Sequence, residues 1–361
     1  MNFSEALTFN DVLLVPKYSE IISRKLVDLS TKFSRNINLK IPLVSSNMDS
    51  VTESALAIAM AQLGGIGIIH RFLTIDEQVN QVKEVKALNL LVGAAVGVRD
   101  DYLKRAQELI DVGVDVIVID IAHGHAKHVL DAVKSIKKRW TNIDVVAGNV
   151  ATSEGVKALV DAGADGVKIG VGSGSACSTR VVTGHGVPQL TAIINCSREY
   201  VPPEEGTISI VDSYKPVSVP TIADGGISNS GDIVKSLVAG ASCVMLGSLL
   251  AGAEECPGYI KIRKGVRYKV YRGMASVEAN ITRKQKDNIT MTEEEISEIV
   301  PEGVATEVLY QGKVENIIKQ LVGGIKSGFS YSGANNLKEL REKAEFIKIT
   351  AASWEESLPK E

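Results

Sequence analysis

Residues 108–120 read ELIDVGVDVIVID, residues 158–170 read ALVDAGADGVKIG, and residues 236–248 read SLVAGASCVMLGS. Each has the same three parts. A helical stretch carries apolar residues three and four apart, a glycine stops it, and a continuous run of apolar residues follows. A continuous run, unlike an alternating one, marks a strand buried on both faces, as in a parallel sheet covered by helices. The rhythm extends in both directions. Strand-like runs occupy 41–46 (IPLVSS), 66–70 (IGIIH), 91–97 (LVGAAVG), 116–120 (VIVID), 144–150 (DVVAGNV), 166–172 (GVKIGVG), 221–226 (TIADGG) and 244–248 (VMLGS). Helical periodicity fills intervals such as 53–65, 74–86, 102–113 and 153–164. Eight such units within roughly 250 residues is the arithmetic of an α/β TIM (β/α)8 barrel. A doubly wound sheet also alternates, but no G-x-G-x-x-G follows the first strand. A single catalytic domain over 1–361 is expected.

The bulk composition agrees. The chain has 361 residues, 45% hydrophobic, with a formal net charge of −3. These values suit a soluble globular protein and leave no basic footprint for nucleic acid or an anionic membrane. The longest apolar runs fall well short of a membrane span. The four cysteines, 177, 196, 243 and 256, form no C-x-x-C pair and no metal-ligand spacing with histidine, which reads as a cytoplasmic chain with free thiols. Abundant glycine (32) with few aromatics (5%) fits many tight strand–helix junctions better than an all-β sandwich.

Two regions break the rhythm. Residues 197–217 hold three prolines and no clean period, an irregular excursion after strand six. Residues 275–300 are polar and follow strand eight. A long polar loop on that side is a lid, or flap, candidate. Within it Thr292 and Glu295 form a capping-box pattern, so a short helix is expected to start there.

Active sites of this fold lie at the C-terminal strand ends, with phosphate commonly held after strands seven and eight. Strand seven ends in Asp224-Gly225-Gly226 and strand eight in Gly247-Ser248. Backbone N–H groups beside glycine approach a phosphate closely, and the serine adds a donor. Asp224, a poor phosphate ligand, suits a sugar hydroxyl instead. Strand six runs into GVGSGSACSTR (170–180), where small polar neighbours leave Cys177 accessible, with Arg180 beside it to favour the thiolate. A cysteine in such a loop reads as a covalent nucleophile. Cys243, inside strand eight, reads as a small buried hydrophobe. Asp120 ends strand four and suits a ribose or a cationic ring. His123 and His125, just beyond, are more simply local hydrogen-bonding residues. Strand one ends in Ser45-Ser46-Asn47-Met48-Asp49, a source of a hydroxyl and an apolar contact.

These residues resemble a known family. GVGSGSACSTR is similar to the cysteine-loop signature shared by inosine monophosphate dehydrogenase and GMP reductase. ALTFNDVLLVPKYSE, IPLVSSNMDSVTE, GGIGIIHR, IADGGISNSGDIVKSLVAGA, YRGM, PEGV and GGIKSGFSYSGA match as well, in order along nearly the whole chain. The N-terminal motif, YRGM and the C-terminal ITAASWEES look like the dehydrogenase. The pair of CBS modules usual after strand two is absent, since HRFLTIDEQVNQVKEVKALNLLVG runs straight through. The resemblance implies that Cys177 attacks C2 of IMP, that hydride leaves for NAD, and that water releases XMP. It implies Thr179 and Glu302 as a proton-transfer pair. Ser175, Asp224, Gly225, Gly226, Gly247 and Ser248 would hold the ribose phosphate, with Tyr271 closing that end. Gly273 and Met274 would contact the base, and Ser46 and Met48 would also bind the substrate. Asp120, Asn149, Gly170 and Gly172 would face the cofactor. K⁺ would take backbone carbonyls of Gly172, Gly174 and Cys177, in a homotetramer.

The chain also departs from the family. Asp287-Asn288 stand where the dehydrogenase flap carries Arg-Tyr; a different residue could serve the water step, and Glu302 with Thr179 is the more economical candidate for its base. Ser178 replaces Thr, Ser173 replaces Pro, and Ile121 stands where a small hydroxyl is common. Ile299 stands where the reductase has an arginine, and the C-terminal ESLPK lacks the usual histidine. Three readings are ranked: an IMP dehydrogenase without CBS modules, then an NADPH-dependent GMP reductase, then a nucleotide-binding barrel without turnover.

Overall fold

The computed structural model describes residues 4–99, 101–200, 214–286 and 289–359. Eight strands close into one barrel in chain order: β1 (Leu43–Ser45), β2 (Ile66–Ile69), β3 (Val92–Val96), β4 (Val116–Asp120), β5 (Asp144–Val150), β6 (Gly166–Ile169), β7 (Thr221–Asp224) and β8 (Cys243–Leu246). All neighbouring pairs are parallel, and β8 returns to β1 through Val244↔Leu43 and Leu246↔Ser45. The fold is the TIM barrel that the repeated unit implied. The glycines of the three quoted repeats, Gly113, Gly163 and Gly240, take φ of +85°, +104° and +120°. A side chain there would be strained, so the helix stop belongs to glycine.

Helices α1 (Ser54–Gln62), α2 (Ile75–Lys86), α3 (Tyr102–Asp111), α4 (Lys127–Arg139), α5 (Ser153–Asp161), α6 (Gln189–Cys196) and α7 (Ser230–Val238) follow the first seven strands. The ring is closed by α8 (Val314–Tyr331), which packs on both α7 and α1. Two apolar layers result. Ile117, Ile119, Val167 and Ile169 face the helices. Val44, Ile66, Ile68, Val116, Val118, Val146, Ile222 and Met245 fill the barrel lumen. The N-terminal end of the lumen is plugged by Phe33, fully buried, from a short hairpin of strands Thr31–Lys32 and Asn38–Leu39.

Between β8 and α8 the chain builds an antiparallel sheet of β9 (Lys261–Arg263), β10 (Val266–Arg272) and β11 (Ala305–Leu309). The polar stretch expected as a flap loop lies between β10 and β11 and is largely helical, in Val277–Lys286 and Glu293–Ser297. The second of these starts on the Thr292/Glu295 capping box. Because Tyr271 pairs with Thr306 and Arg272 with Ala305, both ends of the insertion are pinned at the barrel mouth. Its first helix leans on the β2–α2 side: Lys286 pairs with Glu77, and the Arg283 guanidinium lies 5.6 Å from the Phe72 ring. Asp287-Asn288 fall outside the described residues. So does the centre of the 197–217 excursion, although Arg198–Tyr200 and Tyr214–Pro216 pair as a two-stranded hairpin.

Candidate active site

The C-terminal mouth of the barrel holds a cavity of about 460 Å³, within the size range of small-molecule sites. All the residues singled out as catalytic, substrate-binding, cofactor-binding or K⁺-coordinating line it, from Ser46 and Met48 through Asp120, Asn149 and the cysteine loop to Tyr271, Met274 and Glu302. They come from several connections, brought together because each follows the C-terminal end of a parallel strand. His123 and His125 are exposed and do not line the cavity.

Cys177 is the exposed thiol of the four; Cys196, Cys243 and Cys256 are buried. Burial pushes the Cys196 and Cys256 thiols up to about 12, and that of Cys243 upward as well. The Cys177 thiol donates to Thr179 Oγ1 at 3.2 Å, and Thr179 Oγ1 donates to Glu302 Oε2 at 2.8 Å. Main-chain bonds set this line of three. The Ser178 amide donates to the Glu302 carbonyl at 2.9 Å, the Val304 amide to the Ala176 carbonyl at 3.0 Å, and Cys177 forms an isolated antiparallel bridge with Gly303. PEGV, remote in sequence from the cysteine loop, is thus a strand-like clamp on it. Arg180 does not face the thiol as expected. Its guanidinium donates to the Val187 carbonyl, and its stem packs over Gly172.

Beside the cysteine loop, the Tyr271 hydroxyl, on a residue 4% exposed, accepts from Ser175 Oγ at 3.4 Å. Burial pushes its phenol up, so it stays a neutral donor. Gly225 brings its backbone against the cysteine loop: a Cβ there would lie 2.6 Å from Ser173 Oγ. Ser175, Tyr271, Gly226, Gly247 and Ser248 thus gather small groups and hydroxyls in one corner.

Two carboxylates face the space between. Asp224 Oδ2 accepts from Lys168 Nζ at 2.7 Å and from Asn149 Nδ2 at 2.9 Å. Asn149 also donates to the Gly170 carbonyl at 2.8 Å, so its amide supports Asp224 as much as it borders the cofactor side. Asp120 lies 3.4 Å from Lys168 Nζ and 3.8 Å from Arg71 Nε, and accepts from Asn47. Burial alone would push the Asp120 carboxyl up, but the Lys168 and Arg71 cations outweigh it and hold it below the ordinary range. Arg71 Nε is buried without a hydrogen-bond partner of its own beside this cavity. An ionised carboxylate beside an orphaned cationic donor is a donor set that fits the ribose and phosphates of a nicotinamide nucleotide.

For K⁺, no group of three or more His, Cys, Asp or Glu side chains among the described residues could hold a metal. Of the loop carbonyls, that of Gly174 already accepts the Cys177 amide at 3.0 Å. No helix among the described residues is long and apolar enough to cross a membrane.

Sequence reasoning misses Lys168, Arg71 and Asn47. A signal for Lys168 is present in the sequence: a lone cation inside an apolar strand needs buried partners.

A parallel (β/α)8 barrel with an accessible thiol, a hydrogen-bonded threonine–glutamate pair and a hydroxyl-rich corner around one cavity has the form of a barrel enzyme for a small polar molecule. A family model described as IMP dehydrogenase / GMP reductase domain matches residues 6–360. The chain belongs to that family, oxidoreductases of purine nucleotides. It is 39% identical to the inosine-5'-monophosphate dehydrogenase of Nitrosopumilus maritimus, over 99% of both chains. It is 35% identical to the GMP reductase of Leishmania donovani, over 98% of this chain and 96% of that one. Among solved structures it resembles a cysteine-to-alanine variant of GMP reductase from Trypanosoma brucei in complex with guanosine 5'-monophosphate, with a TM-score of 0.87 and 33% identity over 99% of this chain and 98% of that one.

Proposed function

We propose that this chain oxidises IMP to XMP with NAD⁺ through a covalent intermediate on Cys177. The observation that carries the reading is the line Cys177–Thr179–Glu302, which opens on the same cavity as the hydroxyl-rich corner and the two carboxylates. Ser175, Tyr271, Gly226, Gly247 and Ser248 bind the 5'-phosphate, and Asp224 accepts from the ribose hydroxyls. Met48 and Met274 lie against the base. Asp120 accepts from the sugar of the nicotinamide nucleotide, whose bound ring supplies the hydride acceptor.

Cys177 loses its proton to solvent or through Thr179, and its sulfur bonds to C2 of the purine. The hydride on C2 departs, leaving a C2–S thioimidate. Water then adds to C2, its proton passes through Thr179 to the Glu302 carboxylate, and the C2–S bond breaks to release XMP and the thiolate. The net reaction is IMP, NAD⁺ and water giving XMP, NADH and a proton. Loop carbonyls of Gly172, Gly174 and Cys177 are the candidates for K⁺; the Gly174 oxygen keeps a second lone pair beside its bond from the Cys177 amide. The chain passes from β2 to α2 through residues 70–74 only. The alignment with the Nitrosopumilus dehydrogenase runs over 484 positions against 361 residues, which supports the absence of an inserted CBS pair.

GMP reduction is the second reading. A protonated Glu302 could equally hand a proton through Thr179 to a departing ammonia, and reductases are among the relatives. Steady-state assays separate the two. The first reading expects NADH and XMP from IMP with NAD⁺. NADPH consumption with GMP, and no NADH with IMP, would replace it.

A further inference from the structure

Lumen-facing positions recur every second residue along a strand. Asp120 on β4 is paired with Gly148 on β5, and Gly148 with Lys168 on β6. On the far side Lys168 is paired with Ile222 of β7, two residues before Asp224. The lysine therefore shares a row with Asp120 and lies one lumen-facing position below Asp224, so its ammonium sits between the two carboxylates that line the cavity. Its side chain is 3% exposed, and its ammonium is 2.7 Å from Asp224 Oδ2 and 3.4 Å from Asp120 Oδ1. Gly148 is the window that lets it reach across β5: a Cβ there would lie 2.5 Å from the Lys168 carbonyl oxygen and 2.7 Å from its Cβ. Burial works against the Lys168 cation, but Asp224 and Asp120 outweigh it and raise its pKa above the ordinary lysine value.

The contacts are divided between oxygens. Asp224 spends Oδ2 on Lys168 and Asn149, which leaves Oδ1 as the acceptor for a ligand. Asp120 turns Oδ1 to Lys168 and Oδ2 towards Arg71. One ammonium thus holds the rotamer of both groups and helps keep Asp120 ionised.

We propose that Lys168 is a positioning residue shared by the two sugar sites, so that it governs binding of the purine nucleotide and of the nicotinamide nucleotide together. The inference rests on the functional reading above, in which Asp224 and Asp120 accept from the two riboses. Lys168 touches neither reacting atom, so its loss should appear in KM for both nucleotides and less in kcat.

The test is steady-state kinetics with IMP and NAD⁺ on Lys168→Met, Lys168→Arg, Asp224→Asn and Asp120→Asn. Hydrogen bonds to charged groups are worth about 10- to 100-fold in affinity. Lys168→Met should raise KM for both IMP and NAD⁺ by about that much, with the larger share of the effect in KM. Asp224→Asn should act chiefly on IMP and Asp120→Asn chiefly on NAD⁺, while Lys168→Arg restores part of both. Should Lys168→Met not fold, the charge-balanced Lys168→Met/Asp224→Asn pair replaces it. Its KM for NAD⁺ should rise about tenfold above that of Asp224→Asn alone. A lysine variant that moves KM for one nucleotide only, or lowers kcat alone, overturns the inference and leaves the functional reading standing. Wild-type protein that produces no NADH from IMP and NAD⁺ overturns that reading instead, and the inference with it.

Discussion

Replacing Glu302 by glutamine removes a proton acceptor and almost nothing else. The amide oxygen of glutamine can still accept from Thr179 Oγ1, now 2.8 Å from the carboxylate. The main-chain clamp, in which Ser178 N–H reaches the Glu302 carbonyl at 2.9 Å and Val304 N–H the Ala176 carbonyl at 3.0 Å, does not involve the side chain. Folding and nucleotide binding should therefore persist. A positioned general base contributes about 10²- to 10⁴-fold, equivalent to about 2.7–5.5 kcal/mol of barrier. That loss should fall on hydrolysis of the thioimidate, because the exposed Cys177 thiol can give its proton to solvent during hydride transfer. Stopped-flow mixing with IMP and NAD⁺ should show a burst close to one NADH per active site. A steady rate slowed by about two to four decades should follow. A steady rate within about threefold of wild type would refute the assignment of Glu302 as base, since even the low end of general-base catalysis is larger.

Three further outcomes follow from the same geometry. Iodoacetamide at pH 9 should label one thiol per native chain, on Cys177, because Cys196 and Cys256 are pushed to about 12 and Cys243 is buried. Peptide mapping that finds label on a buried cysteine would contradict this, whereas all four should react in denaturant. Tyr271→Phe removes the phenol beside Ser175 and should raise KM for IMP by about tenfold while leaving KM for NAD⁺ unchanged. Phe33→Ala empties the plug of the lumen, where the ring is fully buried, and should cost about 3–5 kcal/mol in urea denaturation; a loss under about 1 kcal/mol would mean the barrel floor collapses around the gap.

The barrel is legible in the sequence because its signals are local. A continuous apolar run, a glycine with positive φ and an amphipathic stretch recur, and each strand lies within a few residues of its expected run. The candidate nucleophile is legible through composition, since small polar residues around Cys177 leave it open, whereas Thr179 and Glu302 come only from the resemblance of their motifs to a known family. What stays hidden depends on pairing between distant segments. Strand Val12–Leu14 pairs with Phe346–Lys348, and β10 pairs with β11 around the flap, with no local pattern to announce either. The flap reads as loop because EANITRKQK has no apolar stripe, yet its residues form a helix between pinned ends. A continuous apolar strand also conceals which residues face the lumen. Lys168 therefore looks like an interruption until the pairing register sets it between Asp120 and Asp224.

The central claim is that Cys177 becomes covalently bonded to C2 of IMP as hydride leaves. Its most direct test is acid quenching of Glu302→Gln during turnover, with intact-mass and peptide analysis of the trapped protein. The account predicts a purine nucleotide adduct on the peptide carrying Cys177 when both IMP and NAD⁺ are present, and none with IMP alone. NADH formed at wild-type rate with no adduct on Cys177, or turnover retained in Cys177→Ser, would contradict it.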